Sequence, residues 1–245
     1  MSSNKLNIAL LGYGKMGKII ESIAIERGHN ISFIANSSNA DFTSEDLTES
    51  NTNVAIEFSL PHFASSNINK CLDANIPVAI GTTGWYSDLD AITTKVKETA
   101  GCILPATNFS LGVNIFFEIN KQLAALMKNQ TQYEPLITEI HHTQKLDAPS
   151  GTAITAAEGI MSELTSKNQW VKESATSTNE LVIKSIREEH VPGTHDVVYE
   201  SAIDKITLSH EAKSREGFAL GAVIAAEFLI GKHGIFTMKD VLNIN

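Results

Sequence analysis

The sequence predicts a parallel α/β sheet domain interrupted by a smaller α+β domain with a mixed sheet, and three observations carry that expectation. Short apolar runs alternate with helix-like stretches over the first hundred residues. Beyond about residue 109 the rhythm changes, and residues 181–187, 195–200 and 205–212 read as strands with no helix between them. A last helix over 216–229, rich in alanine and glycine, comes late enough to return and cover the first sheet. The expected division is therefore residues 1–108 plus 216–245 for a dinucleotide-binding domain, with 109–215 for substrate binding and oligomerisation.

Each element follows from its pattern. Ile8-Ala9-Leu10-Leu11 is a continuous apolar run, as a strand buried on both faces requires. Met16, Ile19, Ile20, Ile23 and Ala24 share one helical face, and Gly28 follows the last turn. Residues 31–35, 54–58, 78–80 and 103–106 are further strands, with helices over 61–75 and 87–99. A helix over 113–127 opens the second part, and a strand then runs from Tyr133 into the segment around His141. Ile154, Ala157, Met161 and Leu164, at spacings of three and four, place a second helix there. The polar stretch 172–180 reads as a mobile loop.

Composition narrows the function. With 245 residues, 42% hydrophobic and 19% charged, the chain can bury a substantial core. A net charge of −9 gives no electrostatic support to nucleic-acid binding. Cys71 and Cys102 are too few for a disulfide framework and fit a reducing cytoplasm. The start does not resemble a signal peptide, and the longest apolar stretch, 218–230, is too short to span a bilayer.

Gly12-Tyr13-Gly14-Lys15-Met16-Gly17 lies between the first strand and the first helix. There Gly12 permits the tight turn, Gly14 the approach of a pyrophosphate and Gly17 close packing of helix on strand, which makes the domain Rossmann-like. The helix start supplies N–H groups and the positive end of the dipole. Where the second strand ends, Ala35-Asn36-Ser37-Ser38 has no carboxylate to repel a 2′-phosphate and no Arg or Lys to attract one. NADPH is thus permitted beside NADH, with a lean toward it, and Lys15, Ser37 and Ser38 could assist. Gly81-Thr82-Thr83-Gly84 follows the fourth strand and Ala106-Thr107-Asn108-Phe109 the fifth, at the carboxyl ends where open sheets bind ligands.

Residues 139–153 read Glu-Ile-His-His-Thr-Gln-Lys-Leu-Asp-Ala-Pro-Ser-Gly-Thr-Ala. They offer a proton donor, a fixed cation and the amides of a helix opening at Ser150-Gly151-Thr152, which together suit a small anion. Because strand side chains alternate, His141 and His142 cannot both face one ligand unless the strand ends there. No metal is expected: there is neither a His-Glu-x-x-His helix nor a cysteine cluster. Arg215 could clamp a carboxylate or be an ordinary surface cation, and His195 reads as structural or interface-related.

The 139–153 block resembles the signature of the 4-hydroxy-tetrahydrodipicolinate reductase (dihydrodipicolinate reductase) family. The resemblance runs in order through Gly12–Gly17, Gly81–Gly84, 107–114, Gly193-x-His195, His210-x-Ala212-x-x-Arg215 and 218–222. It implies reduction of a cyclic unsaturated dicarboxylate to tetrahydrodipicolinate with NADH or NADPH, in the diaminopimelate route of lysine biosynthesis. It further implies His141 as proton donor with Lys145 as its catalytic companion. His142, Gly151 and Thr152 would bind the substrate, with Arg215 assisting. The nucleotide would lie on Gly12, Tyr13, Gly14, Lys15, Met16, Gly17 and Asn36. Gly81, Thr82, Thr83, Ala106, Thr107, Asn108 and Phe109 would stand at the nicotinamide end, near an interdomain hinge. Members are usually homotetramers built through the second domain's sheet.

The chain departs from the family's pattern in three places. Its glycine loop is tighter than Gly-x-x-Gly-x-Met-Gly, the acidic residue after the second strand is missing, and Thr143-Gln144 stands where basic residues are common. Another two-domain dehydrogenase acting on an amino or keto acid, with Lys145 as base, remains an alternative. So does a non-catalytic nucleotide sensor.

Overall fold

The computed structural model describes residues 5–244 and divides into two compact units. One holds the described residues up to Leu111 together with those from Arg215 onward, and the other spans Gly112–Ser214.

The first unit runs β1 (Asn7–Leu11), α1 (Lys15–Glu26), β2 (Asn30–Ala35), α2 (Ser44–Glu49), β3 (Val54–Glu57), α3 (Pro61–Asp73), β4 (Val78–Ile80), α4 (Leu89–Thr99) and β5 (Cys102–Pro105). After the second unit the chain returns as α7 (Glu216–Leu229), β11 (Gly234–Ile235) and α8 (Met238–Leu242). The six strands lie in the order β11-β5-β4-β3-β1-β2, all parallel. Both faces are covered, which is why β1 has no polar alternation. Ile8 and Leu10 join a cluster with Ile56, Leu104 and α7, while Ala9 and Leu11 join one with Ala55, Ile80 and α3. The strand order reverses where β1 has β2 on one side and β3 on the other, the switch point at which open sheets bind ligands.

Helix α7 completes this sheet. Ala219, Ala222, Val223, Ala225, Ala226 and Leu229 are all fully buried in the cluster that includes Leu10 and Leu104. An ion cluster ties α7 to the end of α1 and the start of β2. Glu227 accepts from Arg27 Nε and Nη2, both at 2.8 Å, and faces His29 Nε2 at 2.8 Å. Burial pushes the Glu227 carboxyl up, but Arg27 and His29 outweigh it and hold the group below the usual carboxylate range. A carboxyl depressed in the folded state stabilises above its unfolded pKa and loses that contribution as pH falls through the folded value. The Tm gap between wild type and Glu227→Gln is therefore expected to shrink as pH falls from about 6 toward about 3. A gap that stays constant across acid scans would show that the charge contributes nothing.

The second unit holds α5 (Leu111–Met127) from its second residue on, then β6 (Glu134–His141), α6 (Gly151–Glu163), β7 (Gln169–Lys172), β8 (Glu180–Arg187), β9 (Gly193–Glu200) and β10 (Lys205–Ala212). Its five strands lie in the order β10-β9-β6-β8-β7, antiparallel from β10 to β6 and parallel from β6 to β7. Helices α5 and α6 cover one face, where Phe116, Ala156 and Ile160 pack on Ile137, Leu181 and Val197. Asn120 Nδ2 donates to the Ala156 carbonyl at 2.8 Å and joins the two helices. Among the described residues no core cluster includes the opposite face, which carries the half-buried Leu136, Val182 and Val198 at one register level, with Ile140 and the more exposed Ile186 at another.

Two expectations change in detail. The stretch 172–180 is pinned rather than loose, with β7 ending at Lys172 and β8 starting at Glu180. Buried Lys167 donates to the Thr178 and Glu180 carbonyls at 2.9 and 3.0 Å and pairs with Glu134. The Glu180 carboxylate receives the Thr176 and Ser177 amides at 2.6 and 3.1 Å. Short α2, β7, β11 and α8 add to the elements expected from periodicity. Among the described residues no helix is long and apolar enough to cross a membrane.

Candidate functional site

In the first unit a cleft of about 340 Å³ opens at the switch point, lined by Gly12, Tyr13 and Gly14 after β1, Asn36 and Ser37 after β2, and Phe58 to Leu60 after β3. The glycines show what the cleft is shaped for. A Cβ on Gly12, whose φ is +103°, would stand 2.2 Å from the Phe58 carbonyl oxygen, and one on Gly17 would stand 2.4 Å from the Gly12 oxygen. Both positions need backbone alone. A Cβ on Gly14 would meet nothing within 4 Å, so this N-cap of α1 faces open space where a diphosphate can approach the helix amides. These residues fit a dinucleotide.

The other residues expected here divide between cleft and support. Lys15 is exposed, while Met16 packs against the core. Asn36 accepts from the Ser38 amide at 2.8 Å and its own amide donates to Asn39 Oδ1 at 2.8 Å, so the turn after β2 is closed on itself. Thr82 is buried: its hydroxyl accepts from the Ser59 amide at 2.8 Å and its carbonyl from Trp85 Nε1 at 2.8 Å. Thr83 and Thr107 are exposed and Ala106 is half-buried. Asn108 accepts from the Ser110 amide at 2.9 Å, and the buried Phe109 lies with its ring centroid 5.7 Å from that of Phe58. Gly81 is held open by Phe58, whose ring a Cβ would meet at 2.1 Å.

Asn36 tests cofactor choice. An aspartate can keep the bond to the Ser38 amide while placing a negative charge at the end of β2, within the cleft lining. Asn36→Asp is expected to weaken NADPH binding relative to NADH binding by about tenfold or more. An unchanged ratio in nucleotide titrations would show that the 2′-phosphate lies elsewhere.

In the second unit β6 ends at His141, and the chain then turns through Lys145 into Ser150, the N-cap of α6. Because the strand stops, His141 and His142 are freed from strict alternation; His141 is 7% exposed and His142 half-buried. Ser150 Oγ accepts from the Ala153 amide at 3.1 Å and faces His195 Nε2 at 3.0 Å. Gly151 and Thr152 form the first turn of α6, and a Cβ on Gly151 would meet nothing within 4 Å. This is an open helix start of the kind that holds a carboxylate. Lys145 Nζ lies 2.9 Å from Asp147 Oδ2 on the same loop. Arg215, exposed at the N-cap of α7, belongs to the first unit rather than to this group.

Behind His141 stands Glu139, fully buried, with Oε2 2.7 Å from His141 Nδ1. The angle is too oblique for a regular hydrogen bond, and among the described residues neither atom has a hydrogen-bond partner. Burial alone would raise the Glu139 carboxyl, but its polar neighbours His141, Ser150 and Ser185 outweigh it and hold the group well below the usual carboxylate range. Arg187 Nη2 donates to Glu139 Oε1 at 3.1 Å. His195, edge-on to His141 with ring centroids 5.0 Å apart, is pushed down to about 3 by burial, with nearby His141 adding to the fall. It is therefore neutral at physiological pH.

The ligating atoms of Glu139, His141 and His195 lie within 4.8 Å of one another, close enough to close on a small cation. Arg187 already supplies positive charge to Glu139 at 3.1 Å. Sequence reasoning assigned Glu139 and Arg187 no role and set His195 apart. The signal for Glu139 was its i, i+2 spacing from His141 on a strand, which puts both on one face.

Two family models cover the chain. Residues 6–109 match that of dihydrodipicolinate reductase, N-terminus, and residues 112–242 that of dihydrodipicolinate reductase, C-terminus. The 4-hydroxy-tetrahydrodipicolinate reductase of Christiangramia forsetii is 50% identical over 238 residues, covering 97% of this chain and 98% of its own. That of Caldanaerobacter subterraneus is 35% identical over 243 residues, covering 94% of each. Among solved structures, a Paenisporosarcina dihydrodipicolinate reductase with bound dipicolinate shares the fold, with a TM-score of 0.79 at 22% identity, covering 99% of this chain and all 100% of that one.

Proposed function

The chain belongs to the dihydrodipicolinate reductase family, and from that premise we propose that it reduces 4-hydroxy-tetrahydrodipicolinate to tetrahydrodipicolinate with NADH or NADPH, in the diaminopimelate route to lysine. The observation that carries this reading is the gathering, within one unit, of His141, Lys145 and the open start of α6. Dipicolinate bound to the Paenisporosarcina relative supports a small cyclic dicarboxylate as the substrate.

The dihydronicotinamide, when bound, supplies the hydride. The residues of the second unit do the rest. Loss of the substrate's 4-hydroxyl as water gives a conjugated C=C–C=N system, and hydride addition to it leaves negative charge that one proton must neutralise, so each turnover consumes one NAD(P)H and one proton and releases one water. His141 delivers it from Nε2, because Nδ1 is turned toward Glu139. Nε2 lies beside Gly193, where a Cβ would approach it to 3.0 Å, so any larger residue there would crowd the donor. Lys145 releases Asp147 to take one substrate carboxylate and to stabilise developing charge. Gly151 and Thr152 receive the other at the start of α6. The cleft of the first unit binds and orients the dinucleotide, and turnover requires its nicotinamide end to meet the substrate with water excluded.

We assign assembly to the face of the second sheet opposite α5 and α6. Leu136, Val182 and Val198, with Ile140 and Ile186, form an apolar stripe that a self-complementary interface would bury. A homotetramer predicts a sedimentation mass four times that of the 26.6 kDa chain, and a monomer at micromolar concentration would refute it. The buried free thiols Cys71 and Cys102 accord with a cytoplasmic enzyme.

The reaction is tested by nucleotide oxidation, with substrate generated in place from pyruvate and aspartate semialdehyde by its synthase. Substrate-dependent oxidation of NADH or NADPH supports the assignment. No oxidation by folded protein that still binds nucleotide would overturn it.

A further inference from the structure

We propose that Glu139 and Arg187 form a single positioning unit that sets His141 and Lys145 relative to the substrate, an inference that rests on the function argued above. The parallel pairing of β6 with β8 places His141 opposite Arg187 and Glu139 opposite Ser185. Glu139 shares the covered face of β6 with His141 and is fully buried. One of its oxygens stands 2.7 Å from His141 Nδ1, and the other accepts from Arg187 Nη2 at 3.1 Å.

The guanidinium uses its remaining donors on backbone. Nη2 also donates to the Asp147 carbonyl at 2.6 Å, Nε to the Lys145 carbonyl at 3.3 Å and Nη1 to the Ile186 carbonyl at 2.8 Å. One cation therefore joins the carboxylate behind His141 to the two carbonyls that flank Leu146, a side chain left 97% exposed. At Leu146 the loop carrying Lys145 has an exposed apolar side chain, and Arg187 ties the loop on either side of it to the sheet.

Each member of the pair needs the other. A buried carboxylate without a cation is strongly unfavourable, and a guanidinium brings a planar fork that reaches several acceptors at once. On the other side of the pair, a carboxylate at Nδ1 fixes one ring orientation, the one with Nε2 turned away from Glu139. The network gives the acid and the cation a common reference frame. Neither Glu139 nor Arg187 touches the substrate in this scheme; both act through the residues that do.

The test uses the full-length protein, the coupled assay above and independent NADPH titration. Glu139→Gln, which keeps the shape and loses the charge, is expected to lower kcat by about thirtyfold or more with KM within about threefold and NADPH affinity unchanged. Glu139→Asp is expected to recover part of that loss. Arg187→Lys is expected to lower kcat/KM by about tenfold, because an ammonium cannot reach both carbonyls and the carboxylate. In a Lys145→Ala background the Arg187→Lys change should add less than about twofold, and in a His141→Ala background Glu139→Gln should add equally little. Wild-type kcat in folded Glu139→Gln and Arg187→Lys, or full additivity in both double variants, would overturn the proposal. Failure of both single variants to fold would make the pair structural and overturn it as well. A wild-type protein with no substrate-dependent oxidation would instead remove the function on which the proposal stands.

Discussion

Alanine in place of His141 is expected to lower kcat by about a hundredfold to ten-thousandfold, the range lost when a positioned general acid is removed. NADPH affinity should stay within about twofold, since the cleft and its glycine loop belong wholly to the first unit and His141 to the second. The contrast arises because His141 is the group with a nitrogen turned away from Glu139, at the end of a strand that stops there. His195 cannot take over. It is neutral and engaged with Ser150, and it sits edge-on behind the ring of His141. Stopped-flow or steady-state oxidation of NADPH, together with fluorescence titration of the nucleotide, separates the two quantities. Turnover within threefold of wild type in folded His141→Ala would remove His141 from proton delivery.

Gly221→Ala is expected to produce the largest stability loss of any single methyl group in the first unit. A Cβ at this position would lie 1.7 Å from the Phe109 carbonyl oxygen and 2.8 Å from its carbon, both backbone atoms that cannot swing aside. Helix α7 touches the segment after β5 through small residues, and Phe109 is itself buried in the same cluster. Either α7 withdraws from the sheet or residues 108–110 move. Overpacking of this kind costs roughly 3 kcal/mol or more. For a chain of this size that is about a 6–12 °C fall in Tm. NADPH affinity should fall with it, because Asn108 and Phe109 follow β5 at the ligand-binding end of the sheet. Calorimetry of the variant with and without nucleotide reads both effects. A Tm within 2 °C of wild type would mean that the close approach of α7 to Phe109 is not kept in solution.

Much of this molecule was legible residue by residue, and what was not had physical reasons. β4, β10 and α7 were bounded correctly because an apolar run or a helical period ends abruptly at each. α2 escaped because only Leu47 of its six residues is buried, so it shows no apolar period. Its start is specified by the reciprocal pair Thr43 and Asp46, a capping signal present in the sequence. β7 escaped because an edge strand of four residues alternates too briefly to stand out from the polar stretch after it. His141, Lys145, Gly151 and Thr152 could be proposed from the sequence because their chemistry is compressed into one local segment. Arg187 was not, since its link to Glu139 spans 48 residues and depends on the register of a parallel strand pair, which no local pattern encodes. His195 joined the site for the same reason: its place beside Ser150 is set by antiparallel pairing of β9 with β6.

The return of α7 to the first sheet also orders events during synthesis. The face formed by Ile8, Leu10, Ile56 and Leu104 waits for Ala219 to Leu229, which leave the ribosome after all of β6 to β10. The second unit, by contrast, is complete as a continuous stretch by Ser214. The part of the chain made first is therefore the part finished last, with one side of its sheet open to water while the inserted unit emerges. A nascent chain in that interval is exposed to mispairing along an apolar surface that the mature protein never shows.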